Sequence, residues 1–260
     1  MNEERMKAAG RTDRLSFNHS RPGFGEVEAI RRALFFAKQT GARVMIPHVS
    51  TAEGLLEVRR AKEEGVHVWA ESCPQYFTFT TDDFEKQGPY LKFTPVMHEE
   101  ENRLLMWDLI GKGYVDSIGS DHSPFTVAEK EAGSDNIWKA PNGIPGLEAE
   151  LAVFLQGVNE GKLSLEDVVR MTSYNPAHIY RLPSKGEIRT GYDADLTIVD
   201  LSLEKEFTKE TIHSKCPWSP YMGRTFKGWP VMTVVRGQIV AKDGKLLGSP
   251  SHGKHICREK

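Results

Sequence analysis

Between Pro22 and Phe125 the chain switches repeatedly between two apolar periods, and this alternation restricts its fold more than any other feature. Val27, Ile30, Leu34 and Phe35 recur at helical spacing between Pro22 and a stop signal at Gly41, after which Arg43-Val44-Met45-Ile46 reads as a buried strand. Ser50 or Thr51 caps a second helix that carries Leu55, Val58 and Ala61 on one face and Gly65 past its end. Val66 to Ala70 is the next strand. Leu104, Leu105 and Leu109 then mark a helix, and Val115 to Ile118 a further strand. Strands joined by helices of this length pair in parallel through right-handed crossovers. About three βα units are legible by Asp121, a fraction of a closed (β/α)8 set.

Residues 146 to 182 read as helical, with a capping box at Ser164-Leu165-Glu166-Asp167 and an interruption at Asn175-Pro176. After Gly186 the grammar changes. Leu196 to Val199, Val231 to Val235 and Gln238 to Ala241 are short apolar runs, and Arg236-Gly237 and Asp243-Gly244 supply hairpin turns beside them. The pattern predicts an α/β domain of about three βα units over 1–183, a small β domain over 184–247 and a tail over 248–260.

The 34 basic and 36 acidic residues nearly cancel, and no basic run concentrates positive charge, so a nucleic-acid partner is not expected. Cys73, Cys216 and Cys257 are odd in number and widely spaced, which offers neither a disulfide framework nor a zinc ribbon and suits a reducing compartment. The first residues are charged where a secretory signal needs an apolar stretch, and no run reaches membrane-spanning length. These features predict a cytoplasmic protein without a membrane partner.

The strand Val115 to Ile118 runs into Gly119-Ser120-Asp121-His122-Ser123-Pro124-Phe125. A carboxylate just past a buried strand, at the edge where parallel α/β layers build their sites, suits a metal ligand or proton acceptor. His48 ends its own strand in the same way. Read singly, His48 is equally a hydrogen-bonded strand-end histidine and Asp121 a turn or cap aspartate. As a pair on equivalent ends of parallel strands they form a donor set suited to Zn²⁺ or a similar divalent ion. His122 points away from Asp121 if the strand continues, and is read as structural. His252 and His255 lie in a polar tail without a carboxylate or cysteine partner, and His19, His67, His98, His178 and His213 show no partner pattern. The turn-rich loop Lys139 to Glu148 is either a plain loop or, around Asn142, a source of paired donors and acceptors for an amide-like ligand. Thr94-Pro95 carries the same ambiguity. No phosphate loop or nucleophile elbow occurs.

In order, Pro47-His48-Val49-Ser50, Glu71-Ser72-Cys73-Pro74-Gln75-Tyr76, Gly119 to Phe125, Pro141-Asn142-Gly143-Ile144-Pro145-Gly146-Leu147-Glu148 and Lys185-Gly186 through Gly191-Tyr192-Asp193-Ala194-Asp195-Leu196 resemble the cyclic amidohydrolases. The resemblance points to the D-hydantoinase and dihydropyrimidinase branch, because the loop around Asn142 favours it over the allantoinases and dihydroorotases. Gly228-Trp229-Pro230-Val231 through Asp243-Gly244-Lys245 resembles the end of that family as well.

The resemblance implies an α/β fold: about the last three βα units of a (β/α)8, TIM-like barrel, which makes 1–183 a partial βα-barrel catalytic domain, followed by a small β-sandwich portion. It implies a metal-dependent hydrolase opening hydantoin or dihydropyrimidine rings, with His48 a metal ligand and Asp121 both ligand and general base. Thr94 and Asn142 match positions that hold the substrate ring. The cofactor implied is a divalent metal, zinc above all, in a site that is binuclear in complete members. No His-x-His occurs, and the chain resembles the family's carboxyl-terminal half, so the resemblance also implies that activity needs the amino-terminal half, supplied by another chain or by a longer gene product; the partners expected are a small cyclic amide substrate and either further copies in a homo-oligomer or a complementing amino-terminal half. The alternatives are a non-catalytic dihydropyrimidinase-like oligomeric scaffold and a hydrolase of allantoinase or dihydroorotase type.

Overall fold

A computed structural model describes residues 2–257. The chain divides into two compact units, one running to Glu150 and including Thr208–Met222, the other made of Leu151–Phe207 with the segment that starts at Gly223.

The first unit is built on a parallel sheet in the order β1 (Val44–Ile46), β2 (Val68–Ser72), β3 (Ser117–Ile118). Val44 pairs with Val68 and Ser72 with Ile118, so the three carboxyl ends fall on one edge. β2 starts two residues later than the apolar run suggests, because the Val66 N–H still bonds back to Ala61 in the turn around Gly65. That shift carries Glu71 and Ser72 into the strand and to its rim.

Helix Gly23–Thr40 ends at Gly41, whose φ of 69° permits the left-handed cap. It buries Val27, Ile30, Leu34 and Ala37; Phe35, expected on the inner stripe, is 59% exposed because it falls one position off the 3–4 spacing. Helix Ala52–Glu63 is capped by Thr51, which accepts from the Gly54 N–H. The two helices approach closely at Gly54, where a Cβ would lie 2.8 Å from Ile30 Cδ1. Helix Glu100–Gly111 buries Met106, Trp107, Leu109 and Ile110, while Leu104 and Leu105 are each 53% exposed on its other side. The aromatic stretch between β2 and this helix forms short helices that bury Tyr76, Phe77, Phe79, Phe84 and Phe93. The Trp107 indole donates to the Phe77 carbonyl across that layer at 2.9 Å.

In the second unit the Ser164 capping box forms, with Ser164 and Asp167 bonding each other's backbone N–H. The interruption at Asn175-Pro176 is a π turn over Arg170–Tyr174 followed by helix Asn175–Ile179, where proline sits in a first turn that has no use for its missing N–H. The antiparallel sheet runs β4 (Leu196–Glu206), β5 (Thr225–Val235), β6 (Gln238–Lys242), β7 (Lys245–Leu246). Arg236-Gly237 and Asp243-Gly244 adopt positive φ at both positions, as two-residue hairpin turns of the primed type require. A sandwich needs two packed sheets, and the described residues of the second unit form this one. Residues 258–260 of the expected tail lie outside the described residues.

Candidate functional site at the carboxyl edge of the parallel sheet

His48 lies two residues past β1 and Asp121 three past β3, and both hold left-handed backbone, φ 41° and 47°. Aspartate and histidine tolerate that region better than most residues, but it remains strained for any side chain with a Cβ, and such strain concentrates at functional sites. The other non-glycine residues with positive φ are Arg181, Ser184, Arg236 and Asp243. Thus His48 and Asp121 alone carry this conformation among the described non-glycine residues of the first unit.

Glu71 holds the edge together. Its carboxylate accepts from the His48 N–H and its main-chain carbonyl accepts from the Val49 N–H at 2.8 Å. On the other side, a Cβ at Gly119 would come within 2.9 Å of the Glu71 carboxyl group, so any larger residue there would displace that carboxyl from its place beside the Asp121 segment. Burial raises the Glu71 carboxyl above its usual range against the opposing pull of His48. Asp121 reaches solvent, yet the surrounding protein desolvates its carboxyl and raises it too, again against His48. Burial and the neighbouring Glu71 push Glu150 up to about 7. Burial also raises the Cys73 thiol, which suits a packed thiol and not a nucleophile. The chemistry of this edge is that of carboxyl groups able to hold protons closer to neutrality than in water.

Sequence reasoning missed Glu71 and Glu150. For Glu71 the signal was available: it is an acid at the end of a buried strand, the same pattern that singled out Asp121. Glu150 gave none, since a glutamate opening a helix is ordinarily solvated.

His122 is structural, as expected: its Nδ1 accepts from the Gly146 and Leu147 N–H groups at 3.3 and 3.2 Å and so ties the β3 end to the Asn142 loop. Asn142 is exposed on that loop. Thr94 lines a cavity of about 1030 Å³ with Arg21, Glu26, Ser50 and His98. Neither His48, Asp121 nor Asn142 lines that cavity. His98, which showed no partner in the sequence, meets Ser50 Oγ at 3.1 Å, and Ser50 and Thr51 both donate to Glu26. His252 bonds the Val235 carbonyl at 2.9 Å and makes no clip with His255. Among the described residues no three or more His, Cys, Asp and Glu side chains converge to hold a metal ion. His48 and Asp121 are donors of the right kind, but stable sites use about three or four, so these residues do not complete one.

The amidohydrolase family model matches residues 52–240. An L-hydantoinase of Paenarthrobacter aurescens is 40% identical over 258 residues, 98% of this chain and 56% of the relative. An allantoinase of Salmonella newport (strain SL254) is 39% identical over 256 residues, again 98% of this chain and 56% of the relative. The solved L-hydantoinase (dihydropyrimidinase) from Arthrobacter aurescens superposes with a TM-score of 0.95 at 40% identity, over 98% of this chain and 57% of that one. The chain therefore spans about half the length of the curated relatives it matches. Ordered motifs, sequence and backbone agree along the chain, and it belongs to the amidohydrolase family.

Proposed function

We propose that this chain is the part of a cyclic-amide hydrolase that carries the strand-end histidine, the general base and the ring-holding loops. The observation that carries the reading is that His48 and Asp121 both hold left-handed backbone just past the carboxyl ends of β1 and β3, the two strands that flank β2 in one parallel sheet. The hydantoinase and allantoinase relatives support a cyclic amide as substrate. Amidohydrolases generally depend on a divalent metal. In this reading His48 and Asp121 are two of its donors, and imidazole with carboxylate suits zinc. The donor set is incomplete among the described residues.

Asp121, with its carboxyl raised, receives the proton of the attacking water as the oxygen–carbon bond forms and returns it to the ring nitrogen as the carbon–nitrogen bond breaks. Thr94 and Asn142 hold the ring. The remaining donors come from the part of the relatives' length that this chain does not span, carried on another chain or in a longer gene product. The parallel sheet is then about three βα units of a (β/α)8 barrel, with the division at 1–183, 184–247 and 248–260 and a β-sandwich portion completed in the same way. Cys73, Cys216 and Cys257 are free, which supports a cytoplasmic setting. No helix among the described residues is long and apolar enough to cross a membrane.

The incomplete donor set favours a second reading, a non-catalytic oligomeric scaffold. One experiment separates them. The chain, alone and mixed with the amino-terminal portion of the L-hydantoinase relative, is assayed with zinc on hydantoin, dihydrouracil and allantoin. Ring opening in the mixture that is lost in Asp121→Asn supports the hydrolase; a folded, metal-free oligomer inactive on every ring supports the scaffold.

A further inference from the structure

We infer that Lys92 and Lys130 are positioning residues, whose buried ammonium groups clamp the Asn142 loop and the Thr94 segment into one unit that presents the Asn142 peptide to a ligand. The ligand, an amide-bearing ring, rests on the function proposed above; the clamp does not.

Lys92 is 4% exposed and Lys130 fully buried, and neither pairs with a carboxylate among the described residues. Charges in such places are ordinarily matched by an opposite charge. Here they are met by main-chain carbonyls of a single loop. Lys92 Nζ donates to Ile137 O at 2.8 Å and Ala140 O at 2.5 Å. Lys130 Nζ donates to Pro141 O at 3.1 Å, Gly143 O at 2.9 Å and the Lys92 carbonyl at 3.0 Å. The Gly143 N–H donates to that same Lys92 carbonyl at 3.0 Å. The carbonyls of residues 140, 141 and 143 are thus all drawn inward. Phe17 lies 4.7 Å from Lys92 Nζ and Trp218 5.9 Å from Lys130 Nζ, so aromatic faces cover the charges.

Asn142 is left out of this arrangement. It is exposed between held neighbours, and no hydrogen bond engages its N–H, its carbonyl or its side-chain amide among the described residues. A peptide group kept free at the centre of a pinned loop is preorganised for an amide partner. The loop cannot relax outward easily, because a Cβ at Gly143 (φ 145°) would meet Ser123 O at 2.5 Å and His122 holds the Gly146 and Leu147 N–H groups. Lys92 stands two residues before Thr94, so its carbonyl joins both proposed ring-holding segments.

The test uses the full chain. Hydrogen exchange of peptides spanning 91–95 and 137–147 is compared between the wild type, Lys130→Met and Lys92→Met, with helix Ala52–Glu63 as internal reference. The expected result is roughly ten-fold or faster exchange at both segments in each variant and no change in the reference helix. Unchanged exchange at 137–147 in a folded variant overturns the clamp; should one variant fail to fold, the other decides. In the complemented enzyme, Lys130→Met is expected to raise KM roughly ten-fold while kcat stays within about three-fold. Faster exchange with an unchanged KM overturns the positioning role. A wild type inactive on every ring counts against the hydrolase reading alone, and the exchange data then decide the clamp.

Discussion

Asp121 and Glu71 are both acids at the edge of the parallel sheet, yet their surroundings give them different work. Glu71 is wedged between the His48 N–H and Gly119, where it braces the two strand ends, whereas Asp121 keeps access to solvent and so to a reacting water. Asp121→Asn, which preserves shape and removes the proton acceptor, is expected to lower ring opening in the complemented enzyme by roughly 10²–10⁴-fold without shifting the melting temperature. Backbone strain at His48 gives a second expectation. Glycine adopts a φ of 41° freely and alanine does not, so His48→Gly should be more stable than His48→Ala by about 1 kcal/mol in denaturant titrations. Glu150 gives a third. Its carboxyl is raised to about 7, so the folded state binds that proton more tightly than the unfolded chain does. The resulting stabilisation is full below the ordinary glutamate range and is lost as pH rises through about 7. Glu150→Gln should therefore flatten the fall in stability between pH 4.5 and 8, with a gain at pH 8 of up to about 3 kcal/mol. Thermal melts at the two pH values, compared between variant and wild type, measure it.

Among the elements, the helix pair Gly23–Thr40 and Ala52–Glu63 shows where local preference and packing disagree. Alanine is favoured over glycine in a helix by about 1 kcal/mol, yet a Cβ at Gly54 would lie 2.8 Å from both Ile30 Cδ1 and Thr51 Oγ1 and 3.1 Å from Val49 Cγ1. Overpacking of that kind costs about 1–3 kcal/mol, and Ile30 is buried and has little room to yield. Packing wins, so Gly54→Ala is expected to destabilise the chain by about 1 kcal/mol in urea unfolding. The boundaries of these elements were legible because their signals are local: Gly41 as a left-handed stop, Thr51 and Ser164 as caps, Arg236-Gly237 and Asp243-Gly244 as hairpin turns. The inward faces were less so. Phe35, Leu104 and Leu105 are as apolar as the residues that are buried, and what lies against each helix, which their spacing does not record, decides which ones turn in.

For the molecule as a whole the decisive quantity is the number of metal donors in one place. With two donors and no convergence of three or more among the described residues, the chain by itself should show no chelator effect: EDTA or added Zn²⁺ is expected to move its melting temperature by less than about 1 °C, since only tight binding to the folded state stabilises it. A shift of several degrees would show a third donor. His48, Asp121, Thr94 and Asn142 are the candidates the sequence offers, because each stands in a short contiguous motif beside a strand end or a turn, and their roles belong to the function proposed above. The sequence by itself determined the alternation of helix and strand, the caps and turns that punctuate it, and the motifs that mark the family, all written within a few residues of one another. Packing alone sets Glu71 as a brace between His48 and Gly119, lets Glu150 hold a proton near neutrality, and turns the amino groups of Lys92 and Lys130 onto main-chain carbonyls of the Asn142 loop and of Lys92. The reason is physical: desolvation and hydrogen bonding of a buried group depend on atoms tens of residues away along the chain, and no local pattern encodes which atoms those will be.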